Sequence, residues 1–228
     1  MNCPKCNYVQ ADANKECESC GIIFTKYYLW LESKKTCDIR RVVDSRKRKK
    51  YSQLFDLLLY IKPDDSLLAF WGRLVVLVGV TLWSFKFVFS PIESNYAGES
   101  FMHLINLPFH EAGHIFFRPF GSLMTSLGGT ITQCILPLIC LLVLLLQTRD
   151  TFGSAVCLWW FGENFFDIAP YINDSTSLSM PLVGGNFGHS SPYGFHDWEY
   201  ILTETGLIQY DNLFAKLSVT FGTSIFIM

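Results

Sequence analysis

The chain has 228 residues, of which 50% are hydrophobic and only 17% are charged. The mean hydropathy of +0.26 is high for a soluble domain, and the formal net charge of −2 gives no overall basic field for binding nucleic acid. The first 20 residues lack the apolar core of a secretory signal. Four of the eight cysteines form a metal-type pattern and the others are scattered, which fits a reducing compartment better than a disulfide framework.

Two Cys-x-x-Cys pairs lie within residues 1–25, with ten residues between them. The four cysteines are Cys3, Cys6, Cys17 and Cys20. This is the ligand set of a four-cysteine zinc ribbon, and Gly21 permits the backbone turn after the second pair. Because so short a segment cannot bury a core, bound metal must supply most of its folding free energy. We expect a structural zinc site, with docking of a protein partner as a further use; a redox dithiol is the rival interpretation.

Residues 26–66 are expected to link this ribbon to the rest of the chain. Nine lysine and arginine residues lie between positions 34 and 50, just before the first long apolar segment. We therefore expect a cytoplasmic, lipid-facing stretch that sets the topology, rather than a nucleic-acid site. Residues 51–61 are amphipathic, which predicts a helix at the membrane interface, and a Pro-Asp-Asp break follows at 63–65.

Long apolar runs begin after residue 66. They predict membrane-spanning helices at 67–89, 101–117, 123–147 and 152–172, and a short last one at 213–228. Only helices of this length hide their backbone polar groups in lipid. The predicted fold class is an all-α polytopic membrane protein with about four or five transmembrane helices and a small N-terminal zinc ribbon. The predicted domains are a ribbon at 1–25, a basic linker with an interfacial helix at 26–66, and a transmembrane metallopeptidase-like domain at 67–228.

An H-E-x-x-H pentapeptide, formed by His110, Glu111 and His114, lies in the second apolar run. On a helix the two histidines are one turn apart on one face, so both imidazoles can reach one zinc ion. Glu111 lies beside them, placed to take a proton from a zinc-activated water. Ionisable groups at this depth cost about 2.5–3.5 kcal/mol each on insertion scales, so we expect them to serve a metal site rather than to meet by accident.

A catalytic zinc needs a third protein ligand and an open position for water. If the basic run holds the N-terminus in the cytoplasm, the second and fourth apolar runs cross the membrane in the same direction. Asp167 then lies at the depth of the two histidines, near the cytoplasmic end, and is the favoured third ligand, although it can instead orient a histidine. The alternatives are Asp174 and His196, with His189 and Glu163 ranked behind them.

These residues resemble the site-2-protease-like intramembrane zinc metalloproteases. In that family an H-E-x-x-H lies on one transmembrane helix, and an aspartate near an Asn-x-x-Pro-type motif two spans later completes the zinc site. Here residues 164–174 provide the second element, with Asp167 where the family has its first proline. The resemblance covers about residues 101–175. It implies hydrolysis of peptide bonds in or near the membrane, with His110 and His114 as zinc ligands and Glu111 as general base.

We therefore expect a zinc metallopeptidase of the bacterial inner membrane, with its N-terminus in the cytoplasm. It would carry one catalytic and one structural zinc, contact membrane lipids, cleave membrane or juxtamembrane polypeptides and bind no nucleic acid. Asn164 is expected to hydrogen-bond the substrate or the oxyanion. The alternative is a non-catalytic membrane scaffold or sensor, whose closed metal site needs a fourth protein ligand such as His196. An ion transporter is less favoured because about five spans without repeats suit one poorly.

Overall fold

The computed structural model of the protein describes residues 1–35, 58 and 66–228. The chain divides into two compact units, Met1–Leu58 and Leu59–Met228. The described residues are mainly helical, and their only extended pairing consists of isolated bridges. Most of the basic run lies outside the described residues, as does the predicted interfacial helix at 51–61 apart from Leu58.

The first unit is built around two equivalent turns. In each turn, a backbone N–H four residues after the first cysteine of the pair donates to that cysteine's carbonyl oxygen: Asn7 to Cys3 at 2.9 Å, and Gly21 to Cys17 at 2.8 Å. Asn7 and Gly21 have φ angles of 60° and 67°, in the left-handed region that asparagine and glycine tolerate best. The sequence thus dictates these turns locally, and residues 24–35 continue as a helix.

The described part of the second unit contains six α-helices. They are α1 (Leu67–Phe89), α2 (Phe101–Phe117), α3 (Ser122–Val143), α4 (Thr151–Asn173), α5 (Asp197–Glu204) and α6 (Asp211–Ile227). A π-helical segment, Leu144–Thr148, extends α3. The side chains of Ser66, Ser100 and Asp150 cap α1, α2 and α4 by accepting a hydrogen bond from a backbone N–H in the first turn.

Two helices of the described chain are long and apolar enough to cross a membrane. They are Leu67–Phe89, with a mean hydropathy of 1.8, and Ser122–Thr148, with 2.4. Of their apolar windows, 0% and 17% are buried, respectively. Helix α4 is as long as α1 but carries buried polar residues, and α6 has only 17 residues. Two helices of the described chain thus qualify as candidate spans by length and composition and give weak support for a membrane location, and the number of four or five spans stays a prediction.

Helices α1 and α4 run in the same direction. Near their starts, the Arg73 guanidinium lies over the Phe152 ring at 6.0 Å, and near their ends the rings of Phe87 and Phe166 are 5.8 Å apart. The sequence-based topology had these two helices crossing the membrane in opposite directions. The contacts do not agree with that topology. They join the starts of the two helices to each other and the ends of the two helices to each other, as in a parallel pair.

Helix α3 runs opposite to α4. Gln133, in the middle of α3, bonds Asp167 near the end of α4, whereas the Leu141 carbonyl near the end of α3 accepts a hydrogen bond from Ser154 near the start of α4. The turn between the two helices therefore lies at the end of the bundle where α1 begins. The opposite end of the bundle contains the end of α1, the start of α3 and the end of α4.

Helix α2 does not run the length of the bundle. Its middle packs against the middle of α4, where the Trp160 indole N–H donates to Oδ1 of Asn106 at 2.8 Å. His103, near the start of α2, bonds Asp167 at 2.8 Å, and His114, near the end of α2, bonds the carbonyl oxygen of Thr125 in the first turn of α3 at 2.8 Å. The prediction that residues 101–117 span the bilayer does not fit this placement. The physical reason is length and polarity: 17 residues extend only about 25 Å, short of the roughly 30 Å hydrocarbon core.

Helix α4 is the centre of the unit and has more buried residues than any other described helix. On one face it packs against α6, where the Ser218 hydroxyl donates to the Phe165 carbonyl oxygen at 2.7 Å and small residues allow close approach. The apolar cluster at this contact consists of Ile168, Ala169, Ile172, Leu202 and Ala215. Because Leu202 belongs to α5, the same cluster holds that short helix against α4.

Candidate metal centres

The four cysteines of the first unit come together, as predicted. Their sulfur atoms lie in two close pairs, Cys3 with Cys20 at 3.7 Å and Cys6 with Cys17 at 3.6 Å. The edge of a tetrahedron with zinc–sulfur bonds of about 2.3 Å is roughly 3.8 Å, so the cluster fits a structural zinc. The two equivalent turns described above hold the four sulfurs in this arrangement.

Cys3 is already predisposed to ionise. Burial would raise the pKa of its thiol, but hydrogen bonds from the backbone N–H groups of Cys6 and Lys5 outweigh burial and lower that pKa to about 6. The thiolate is the form of cysteine that binds metal. The Cys20 thiol differs, because a backbone hydrogen bond from Ile22 lowers its pKa but burial and hydrogen bonds with the other three cysteines outweigh that bond and raise the pKa to about 12. Of these two thiols, Cys3 therefore ionises first.

A second cluster lies in the helical unit and joins α2 to α5. The Nε2 atoms of His110 and His114 lie 3.2 and 3.3 Å from the same oxygen, Oδ2 of Asp197, and one ligand atom from each residue lies within 4.8 Å of the other two. The edge of a tetrahedron with zinc–ligand bonds of 2.0–2.1 Å is roughly 3.3 Å. His110 and Asp197 are buried and His114 is half-buried. Two of the three separations therefore match edges of a zinc coordination tetrahedron, and the third is within 4.8 Å.

The far side of each imidazole fixes which nitrogen carries the proton. Nδ1 of His110 faces Oε1 of Gln133 at 3.0 Å, and Nδ1 of His114 faces the carbonyl oxygen of Thr125 at 2.8 Å. Both partners are hydrogen-bond acceptors, so both Nδ1 atoms must be donors, and in a neutral ring Nε2 is then an acceptor. Without metal, a proton on Nε2 of either histidine can be donated to the Asp197 carboxylate oxygen. With that proton removed, both Nε2 atoms and the carboxylate oxygen are available as metal ligands.

Asp167, the favoured ligand in the sequence analysis, lies behind His110 rather than in this cluster. Its carboxylate accepts hydrogen bonds from Gln133 at 2.7 Å and Asn106 at 2.9 Å, and it pairs with His103 at 2.8 Å. Because Gln133 turns its amide nitrogen to Asp167, its amide oxygen must face His110. Asp167 thus orients His110 through Gln133, which is the role left open for it above. Which carboxylate binds metal stays a prediction, and the geometry favours Asp197.

The two alternative ligands, Asp174 and His196, pair with each other. Nε2 of His196 lies 3.5 Å from Oδ2 of Asp174, and its Nδ1 accepts a hydrogen bond from the backbone N–H of Glu199 at 3.1 Å. Burial would raise the pKa of the Asp174 carboxyl, but His196, Ser177 and two backbone N–H groups outweigh it and hold that pKa below its usual value. His196 is fully buried and caps α5. The pair therefore fixes the loop that presents Asp197.

Asp197 is the first residue of α5, and Tyr171 of α4 holds it in place. The Tyr171 hydroxyl accepts a hydrogen bond from the Asp197 backbone N–H at 3.0 Å and lies 3.4 Å from Oδ2 of the same residue. Burial alone would raise the pKa of the Asp197 carboxyl, but the hydrogen bonds and charges of His110 and His114 outweigh burial and lower it. Asp197 is thus ionised and aimed at both histidines.

Glu111 lies beside the cluster without belonging to it. It is half-buried and close enough to interact electrostatically with His114 and Tyr171. The three converging ligand atoms come from other residues. A carboxylate next to a metal but outside its protein ligands is placed as a general base is in H-E-x-x-H sites.

The remaining candidates lie elsewhere in the described chain. The amide nitrogen of Asn164 donates to the Trp160 carbonyl oxygen inside α4, and its fully buried side chain makes no described contact with the cluster. The expected oxyanion role of Asn164 thus gains no support here. His189 is exposed and bonds the Leu178 carbonyl oxygen, and Glu163 accepts a hydrogen bond from Asn106. None of the three belongs to the metal cluster among the described residues.

A cavity of about 420 Å³ opens between the start of α3 and α5. It borders the cluster on two sides: Thr125 is bonded to His114, and Tyr200 follows Asp197 by one helical turn. Arg118 is the charged residue in its lining, and Tyr193 provides an aromatic wall. The volume is within the usual range of ligand-binding sites, and the three residues of the cluster are not among those that line the cavity.

Replacing Gln133 with leucine is expected to lower the zinc affinity of the helical site about 10–100-fold, the usual effect of losing a partner that orients a histidine ligand. Competition with a chelator of known affinity measures the change. Gln147→Leu provides the matched control, because Gln147 is exposed in the π-helical segment. Equal affinities in the two variants would show that the Gln133 bond does not orient His110.

Comparisons of the chain with protein-family models, with curated proteins and with solved structures find no match. The site is therefore characterised by its own geometry: two histidines one helical turn apart, an aspartate delivered by a buried loop, and an adjacent glutamate.

Proposed function

We propose that the protein is a membrane-embedded zinc metallopeptidase that hydrolyses peptide bonds of membrane or juxtamembrane polypeptides. One observation carries the proposal. The Nε2 atoms of His110 and His114 converge on one oxygen of Asp197 at 3.2 and 3.3 Å, and Glu111, the neighbour of His110 in the chain, is not one of the three converging residues. Three protein ligands with an adjacent carboxylate are the composition of a catalytic, rather than a structural, zinc site.

Each residue of the proposed site has its own role in hydrolysis. When bound, zinc supplies a Lewis acid that polarises the scissile carbonyl and lowers the pKa of water to about 7. Glu111 accepts a proton from the attacking water and passes it to the amine nitrogen of the leaving peptide. Gln133 and the Thr125 carbonyl keep the protons of His110 and His114 on Nδ1. The cavity beside α5 admits the polypeptide segment.

The alternative, a non-catalytic scaffold or sensor, requires a closed site with a fourth protein ligand. His196 was the expected candidate, but its Nδ1 caps α5 and its Nε2 pairs with Asp174. Among the described residues, three ligand atoms form the cluster. This composition supports the catalytic proposal over the alternative, and the Glu111 variant below discriminates between them.

Glu111→Gln is expected to keep the metal and to lower peptide hydrolysis by a factor of about 10²–10⁴, because the general base is lost while all three ligands remain. The measurement compares new peptide termini in membrane fractions of cells that produce the wild type or the variant. Zinc content of the purified proteins is measured in parallel.

Glu99→Gln is the matched control, because Glu99 is exposed in the connection that leads into α2. The proposal requires the same set of new termini in this control as in the wild type. Termini that persist at wild-type abundance in Glu111→Gln would refute the peptidase assignment, and a zinc-loaded protein with no cleavage in any form would support the scaffold.

A further inference from the structure

The metal cluster lies at one particular end of the helical bundle. Helix α1 ends there, because Phe87 contacts Phe166 near the end of α4, while Arg73 contacts Phe152 at the opposite end. The loop that carries Asp197 leaves α4 at this same end. The metal cluster therefore lies at the end of the bundle where α1 ends.

Charge distinguishes the two ends. Of the 18 lysine and arginine residues, 13 precede Leu67, and Arg149 lies in the turn between α3 and α4 at the end where α1 begins. At the cluster end, the connections at 90–100 and 174–210 contain no lysine or arginine, and the third connection, 118–121, contains one, Arg118. Lys86 in the last turn of α1 and Lys216 near the start of α6 also lie toward this end, so this end has three basic residues against the 13 that precede Leu67. Connections that are rich in lysine and arginine stay in the cytoplasm. Both observations place the start of α1 on the cytoplasmic side.

We infer that the metal centre opens on the non-cytoplasmic side of the membrane, so that its substrates are polypeptide segments exposed in that compartment or in the adjoining half of the bilayer. The substrate class rests on the proposed function, but the orientation does not. Helix α1 carries the chain out, α2 does not cross the bundle, α3 returns, and α4 leads out again to the loop with Asp197. The cavity beside Arg118 and Tyr200 opens at this outer end.

Two variants of the full chain, each with one added cysteine, test this orientation. Asn186→Cys places a thiol in the exposed loop at the cluster end, where Asn186 uses only its backbone carbonyl, as acceptor for Leu182. Thr148→Cys places one in the exposed turn at the opposite end. A membrane-impermeant maleimide is applied to intact and to permeabilised cells, and the parent chain gives the background from native cysteines.

The inference predicts full labelling of Asn186→Cys in intact cells and labelling of Thr148→Cys only after permeabilisation. The reverse pattern would place the metal centre on the cytoplasmic side and overturn the inference. Labelling of both thiols in intact cells would also overturn it, because α3 and α4 would then not separate them by a membrane. Neither result depends on catalysis, so a failure of the peptidase proposal remains distinguishable.

Discussion

Gly129→Ala is expected to remove metal from the helical site while the cysteine site keeps its zinc. A Cβ atom at position 129 would lie 2.5 Å from Nε2 of His110 and 2.7 Å from Cε1 of His114. A zinc ion bonded to Nε2 lies 2.0–2.1 Å from it, so the added methyl group competes for the same space. The loss of affinity should exceed the roughly 10–100-fold that follows removal of an orienting partner. Zinc titration of the purified variant measures the effect.

Gly79→Ala is the matched control for this substitution. A Cβ atom there meets nothing within 4 Å, so zinc content and affinity should equal those of the wild type. Wild-type zinc affinity in Gly129→Ala would mean that the metal does not occupy the space between the two histidines, and the proposed site would be wrong. The comparison isolates the local effect, since both changes replace a helical glycine with alanine.

The sequence predicts those parts of the two sites that depend on local geometry. The cysteine pairs fold into their turns through hydrogen bonds that span four residues, with Asn7 and Gly21 at the positive φ angles. His110 and His114 share a face because 3.6 residues complete a helical turn. In both cases the spacing along the chain determines the spacing of the ligand atoms, so no knowledge of tertiary contacts is needed.

Asp197 could not be predicted in this way. It reaches the cluster at the end of a loop that leaves α4 at Asp174 and returns at His196, and the pairing of those two residues fixes the return. The sequence shows a His-Asp-Trp element in a polar loop, but not where that loop folds. Asp167 was a reasonable expectation because it lies on a helix at matching depth. Its charge is instead taken up by amide and imidazole groups of α2 and α3.

The sequence-based directions of α3 and α4 relative to α1 were wrong, for a physical reason that the sequence itself contains. Counting every apolar run as a crossing gave α2 a full span, although its 17 residues extend less than the hydrocarbon core. Removing this one crossing reverses the predicted directions of α3 and α4. It places Arg149 at the same end of the bundle as the start of α1, in agreement with the contacts between α1 and α4.

Asp197→Ala is expected to remove metal from the helical site as completely as a His110→Ala/His114→Ala double substitution, because each change destroys the set of three converging atoms. Asp167→Asn is the contrasting variant. Its side chain keeps an acceptor for Gln133, so the helical site should bind zinc more weakly, by about 10–100-fold, but should still fill at excess zinc.

The decisive measurement is the number of zinc ions per chain in detergent-purified protein, with the wild type beside these variants. The proposed sites predict two zinc ions in the wild type and in zinc-saturated Asp167→Asn, and one, in the cysteine ribbon, in Asp197→Ala and in the double histidine variant. One zinc in every protein would contradict the metal centre of the helical unit. Two in Asp197→Ala with one in Asp167→Asn would return the third ligand to Asp167.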